Sequence, residues 1–280
     1  MFFGMSAGTA VAVINYISEI FSPVESLGME IQTIQSALAG IKRINEFLAL
    51  TEKNTYNDKS NCIGNEQLKE SETQPVVELK NVTFGYDEHV VLDNVSFAIK
   101  KGEQATLTGR TGAGKSTIFK LLLGLYEPGK GSVSIAGQKA TAIPDCEKRK
   151  IYGYVEQTFH MVPGTVKDQI TLYDSEVTDE DVIEAAKTAG LHDAIMELEK
   201  GYDTICKPED FSQGQWQLLS IARAAAAKPR LLLLDEITAN LDADTEKNVL
   251  EALNRVSENR TVISISHRSN ARTGRIIEIA

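Results

Sequence analysis

Positive charge is in short supply in this 280-residue chain, which carries 29 lysines and arginines against 39 aspartates and glutamates, a net charge of −10. A nucleic acid is bound largely by neutralising its phosphates, so no nucleic-acid partner is expected. Charge alone would not hold the chain on anionic lipid either. Cysteine is scarce. Cys62, Cys146 and Cys206 are odd in number, far apart and form no CxxC pair. That predicts free thiols in a reducing compartment rather than a disulfide framework or a metal site. The first residues lack the basic start and small-residue cleavage site of a signal peptide, and no internal repeat is present.

What is there is a globular mixture, 42% hydrophobic and 24% charged, long enough for one well-packed domain and something smaller. Residues 1–50 form a first zone. Met1 to Phe21 is mostly apolar and has nearly the length of a membrane span, but Asn15, Ser18 and Glu19 interrupt its far end. From Ile17 onward, Ile17, Ile20, Val24, Leu27, Ile31, Ile34, Leu38, Ile41 and Leu48 recur at steps of three and four, broken at Asn45. This predicts one stripe on a helix roughly 48 Å long, at about 1.5 Å per residue. Pro23 is expected to kink it. Such a helix exceeds one bilayer crossing and could continue into water; the plainer alternative packs it on the chain's own core. Residues 51–74 are polar and aperiodic, a linker.

Residues 75–280 alternate short β-rich runs with helical stretches. Leu231–Leu234 are apolar at every position, as a parallel strand covered on both faces requires. The first two runs, VVELKNVTF and VVLDNVSFAI, have an antiparallel flavour, and Val177–Lys200 is helical in pattern, within a small helical subdomain at about 159–211. The expectation is an α/β fold with a parallel core sheet, an added antiparallel β layer, a helical subdomain and the long N-terminal helix.

Gly109-Arg110-Thr111-Gly112-Ala113-Gly114-Lys115-Ser116 fits GxxxxGK[ST], with Thr117 next, between the strand-like QATLT and the apolar helix TIFKLLLGL. That context is what a phosphate-binding P-loop needs. Its glycines let backbone N–H groups curl around phosphate oxygens at a helix N-terminus, Lys115 reaches the β and γ phosphates, and Ser116 offers a hydroxyl to Mg²⁺. In LLLLDE an apolar strand ends in Asp235, suited to Mg²⁺, and Glu236, suited to polarising a water. Together these residues indicate a RecA-like P-loop nucleoside triphosphatase.

Phe211-Ser212-Gln213-Gly214-Gln215, shortly before LLLLDE, resembles the signature motif of ABC ATPases, usually LSGGQ. Tyr86 resembles the aromatic that stacks on adenine, Gln157 the Q-loop glutamine, Ala239-Asn240-Leu241-Asp242 the D-loop, and His267 the switch histidine, all in the family's order. The resemblance covers Val76 to about Ile279 and implies an ATPase using ATP and Mg²⁺. Ser116, Gln157 and Asp235 would serve the metal. Glu236, His267 and Gln157 would serve the chemistry. Ser212, Gly214, Gln215 and Asp242 would act on nucleotide held by a second such domain. SPVESLGMEIQTIQSALAGIKRINEFL looks like the end of the last transmembrane helix of an ABC exporter. The resemblance therefore implies a transmembrane domain as partner and a place at the cell membrane, with the ATPase on the cytoplasmic side.

The sequence departs from the pattern in places. Gln213 replaces a glycine, Glu156 stands where proline often precedes the Q-loop glutamine, and Cys206–Asp210 looks shorter than usual. A competing reading is a regulatory half that binds ATP in a heterodimer with little turnover, against which Glu236 speaks. A soluble ABC ATPase of translation or DNA repair would need paired domains or long coiled-coil insertions. A P-loop kinase or GTPase has no need of an FSQGQ helix.

Overall fold

A computed structural model describes residues 7–49, 74–86, 89–237, 241–266 and 274–279, and the chain divides into two compact units, 1–57 and 58–280. In the first, the three-four recurrence of apolar residues produces α1 (Ala7–Ala49), 43 residues and continuous through Pro23. Ile17, Ile20, Leu27, Ile31, Ile34, Leu38 and Ile41 are exposed, each by half or more, so this stripe is not buried in a core. Among the described residues no helix is long and apolar enough to cross a membrane.

The second unit contains two sheets. β1 (Val77–Tyr86), β2 (His89–Ile99), β4 (Lys130–Ile135) and β5 (Gln138–Lys139) form an antiparallel sheet in the order β2-β1-β4-β5. β3 (Gln104–Thr108), β6 (Tyr152–Val155), β7 (Leu231–Asp235), β8 (Thr261–Ile265) and β9 (Arg275–Glu278) form a parallel sheet in the order β6-β7-β8-β3-β9.

The parallel sheet separates two cores, and its strands feed both by alternation. Leu231 and Leu233 of β7 join Ile263 and Ile265 of β8, the antiparallel sheet and α2 (Lys115–Leu122). Leu232, Leu234 and Val262 point the other way, into a core shared with α4 (Val166–Thr171), α5 (Asp179–Ala189), α6 (His192–Met196), α7 (Gln213–Ala226) and α8 (Ala243–Ser257). A short α3 (Asp145–Ile151) leads into β6. The continuous leucines of β7 thus serve two faces, and each fully buried leucine is worth about 1.5–3 kcal/mol of transfer free energy.

Two of the helices begin where side chains close their first turns. Thr165 with Asp168 and Thr178 with Asp181 form capping boxes on α4 and α5, and α5 ends at Gly190 in the left-handed region at φ 76°. The expectation of three free thiols needs correction. Cys206 is free and buried, but Cys146 is disulfide-bonded. Sequence spacing alone does not decide whether a cysteine is paired. Burial pushes the Cys206 thiol up to about 11, which keeps it protonated and unreactive.

Candidate functional site

Strand register brings the separate motifs to one edge. Leu107 pairs with Ile265, and Ile265 with Asp235, so β3, β8 and β7 end at the same level. The loop Gly109–Gly114 leaves β3 there, and Glu236 follows β7 there. This is the carboxyl edge of a parallel sheet, where open α/β folds bind their ligands.

The loop's shape is written in its glycines. Gly109, Gly112 and Gly114 all lie at positive φ, at 149°, 84° and 90°. At Gly114 a side chain is excluded twice over, because a Cβ would also lie 2.5 Å from Leu92 Cδ2. Gly114 is the N-cap of α2 without any side-chain cap, and the helix's first turn holds no acid. Its opening N–H groups and the positive end of its dipole are therefore available to an anion. Lys115 is 5% exposed, and its ammonium donates to Gly109 O at 3.0 Å and Arg110 O at 2.9 Å. The cation thus sits in the mouth of the loop. Ser116 beside it is exposed, whereas Thr117 is buried with its hydroxyl 3.5 Å from Tyr86 Oη. Arg110 and Thr111 are exposed and Ala113 half-buried.

Tyr86 is half-buried at the end of β1, edge-on to Phe84 (centroids 5.1 Å apart) and to Tyr126 (5.5 Å). Lys120 Nζ lies 5.5 Å from its ring centroid. A flat π surface with a cation nearby can hold an aromatic base. Tyr126 was not among the expected residues; only the aromatic after the P-loop helix in LLLGLY hints at it.

Asp235 is a perturbed acid. Burial, first of all, raises its carboxyl above the usual aspartate range; Glu236 and Glu156 push the same way, while Tyr154 and Lys115 oppose them. Tyr154 Oη donates to Asp235 Oδ2 at 3.2 Å. Sequence reading missed this tyrosine because YGYV looks like ordinary strand filling. Glu236 is half-buried with its backbone at φ +45°, and its N–H donates to Ile265 O at 3.1 Å. A glutamate held there costs on the order of 1–3 kcal/mol, a strain typical of functional positions. The hydroxyl of Ser116 and the carboxylate of Asp235 are hard oxygen donors, the chemistry Mg²⁺ takes, and a divalent cation would offset the burial and the neighbouring carboxylates that raise Asp235. No cluster of three or more His, Cys, Asp or Glu able to hold a metal occurs among the described residues; one carboxylate suffices for an ion that draws its other ligands from phosphate and water.

Gln157 is exposed, and its carbonyl accepts from Gln217 Nε2 of α7 at 2.7 Å. Glu156 pairs with His160 at 3.2 Å. Ser212 is the N-cap of α7 and forms a capping box: Gln215 N donates to Ser212 Oγ at 3.3 Å, and Ser212 N to Gln215 Oε1 at 2.8 Å. Gly214 is buried, and a Cβ there would lie 2.2 Å from Thr245 Cγ2 of α8. The neighbouring Gln213 is exposed, so the departure from glycine at that position meets no obstacle. Asp242 caps α8 by accepting from Thr245 N at 3.1 Å, and those bonds hold its carboxyl below the usual range. Ala239, Asn240 and His267 lie outside the described residues.

A P-loop after β3 on the carboxyl edge of a five-stranded parallel sheet, with an acid at the end of β7, one strand beyond β8, defines a P-loop nucleotide-binding domain. The family model for ABC transporters matches residues 92–239, more than half of the chain, and the chain belongs to that family. It is 37% identical over 273 residues to the uncharacterized ABC transporter ATP-binding protein YfiC of Bacillus subtilis strain 168, covering 95% of this chain and 43% of that one. It is 37% identical over 269 residues to the alpha-hemolysin translocation ATP-binding protein HlyB of Escherichia coli O157:H7, covering 94% and 37%. The solved structure of a bacterial Atm1-family ABC exporter with ATP bound superposes with a TM-score of 0.69 at 30% identity, over 98% of this chain and 48% of that one. The chain thus spans less than half the length of each of these relatives.

Proposed function

We propose that the chain is the ATPase part of an ABC exporter, which binds Mg-ATP, hydrolyses it while paired with a second ATPase domain, and so powers transport. The observation that carries this is the cradle: three positive-φ glycines, an uncapped helix N-terminus and a buried lysine, level with the Asp235–Glu236 end of β7.

In this reading Tyr86 stacks on adenine. Gly109 to Ser116 wrap the phosphates through backbone N–H groups, Lys115 exchanges loop carbonyls for phosphate oxygens, and Thr117 supports the first turn of α2. Ser116, Gln157 and Asp235 would hold Mg²⁺, which when bound neutralises charge between the β and γ phosphates. Glu236 accepts a hydrogen bond from the attacking water and takes its proton; His267 and Gln157 would act on the γ phosphate. Ser212, Gly214 and Gln215 at the opening of α7, and Asp242, act on the nucleotide of the partner domain, where the α7 N-terminus favours an anion. The exposed stripe of α1 suits the tail of a transmembrane domain, and membrane association with the ATPase unit on the cytoplasmic side follows. HlyB and the Atm1-family exporter supply the analogy for export, not the cargo.

The test is steady-state ATP hydrolysis by the full chain across protein concentrations. Turnover per chain should rise with concentration, as a two-domain site demands, and vanish in Lys115→Ala. Equal turnover in Lys115→Ala would remove the P-loop from the account, and a rate per chain independent of concentration would remove the pairing.

A further inference from the structure

Residues 157–162 belong to neither helix nor strand, yet side chains from two helices strap this segment down. Gln217 Nε2 donates to Gln157 O at 2.7 Å, Arg223 Nη1 to His160 O at 2.9 Å, and Gln169 Nε2 to Val162 O at 2.7 Å. The first two straps rise from α7, the helix that Ser212 caps. Gln217 is buried, 6% exposed, and Arg223 is half-buried, stacked on Phe159 with its Cζ 4.0 Å from the ring centroid. Each strap also carries an unsatisfied buried atom, Gln217 Oε1 and Arg223 Nη2. A buried polar atom without a partner is costly, so side chains that keep one are held for another reason or satisfied in a second arrangement.

We infer that Gln217 is a positioning residue: through its hydrogen bond to the Gln157 carbonyl it sets where the Gln157 side chain stands, and it ties that placement to the orientation of α7. Gln157 is exposed and its own segment lacks a ladder to hold it, so the bond from α7 fixes the backbone from which the side chain projects. A shift of α7 on contact with a second domain's nucleotide moves Gln157 with it, and the unpartnered Oε1 supplies an acceptor for the rearranged loop. This rests on the reading of the chain as an ATPase in which Gln157 serves the γ phosphate.

The chain contains its own probe. Trp216 is the single tryptophan, adjacent to Gln217, with Phe159 of the strapped segment 4.8 Å from it between centroids. Gln217→Met keeps the shape, removes the donor and also removes the unsatisfied oxygen, so the fold loses little. Gln217→Glu keeps an oxygen but no donor for the carbonyl. Each variant of the full chain is compared with the unsubstituted chain by thermal melting, by ATP hydrolysis and by Trp216 emission during a Mg-ATP titration. Expected for Gln217→Met is a melting point within about 3 °C of the unsubstituted chain, and for Gln217→Glu, which buries a carboxylate, a lower one; in both, KM for ATP stays within about twofold, kcat falls by about tenfold or more, and the nucleotide-induced change in Trp216 emission is lost or reduced by half. Unchanged kcat together with an unchanged emission response in either folded variant overturns the inference. So does a loss of kcat that only parallels a fall in melting temperature in both variants, which would make Gln217 a packing residue. Absence of turnover in the unsubstituted chain counts against the ATPase reading instead, and the emission response then decides the inference alone.

Discussion

At the scale of single residues, the site trades stability for chemistry. Asp235 is held above its normal range mainly by burial, so its ionised form destabilises the fold without nucleotide. The sign follows directly: the penalty is absent below the unfolded pKa of 3.8 and complete above the raised folded value. Asp235→Asn keeps an acceptor for Tyr154 and should raise the melting temperature at pH 7 by about 2–4 °C, with the gain shrinking towards pH 4, while Mg²⁺-dependent hydrolysis disappears. Melting curves at the two pH values decide it; a lower melting point at pH 7 would mean that the charge of Lys115 outweighs burial. Lys115→Ala removes a buried cation from two loop carbonyls. ATP binding, measured by calorimetry, should weaken by at least about a hundredfold, since charge-assisted bonds to phosphate contribute about 1.5–3 kcal/mol each.

At the scale of elements, α7 and α8 meet so closely at Gly214 that a methyl group has no room. Gly214→Ala should cost about 1–3 kcal/mol through overpacking against Thr245 Cγ2, and adding Thr245→Ser, which deletes that methyl, should restore most of it. Chemical denaturation of the two single variants and the double variant measures the coupling; strictly additive effects would show that the clash is not the cause. The same elements show what a sequence can disclose. β7 was legible because four consecutive leucines satisfy two cores at once, and α2 because a glycine loop precedes an apolar helix. The motifs of the site were legible for a similar reason: each depends on residue type at fixed spacing. Tyr154, Gln217 and Arg223 were not, because their partners are a carboxylate and backbone carbonyls 54 to 81 residues away. A side chain that donates to a distant carbonyl leaves no pattern along the chain. The left-handed backbone of Glu236 was equally hidden, since nothing about a glutamate announces it.

At the scale of the whole molecule, two helix N-termini suit the proposed pairing with a second domain. The P-loop edge carries an uncapped helix end and a buried cation for phosphate. The opening of α7 presents a second helix N-terminus, capped by its own Ser212 and Gln215. A helix N-terminus favours an anion, and a partner's γ phosphate supplies one if two chains face each other head to tail. Hydrolysis would dissolve such a pair, so the pair should accumulate when nucleotide binds and is not cleaved. Glu236→Gln preserves the size of the side chain at the strained position and removes its capacity to take a proton. Sedimentation of this variant should show a monomer alone and a dimer with Mg-ATP, and adding Lys115→Ala should abolish the dimer. A monomer under both conditions would mean that the facing surface belongs to a different chain, or that the pair forms only where a transmembrane domain holds two copies together. A dimer that forms equally well without nucleotide would place the contact elsewhere, with the exposed stripe of α1 the first surface to examine.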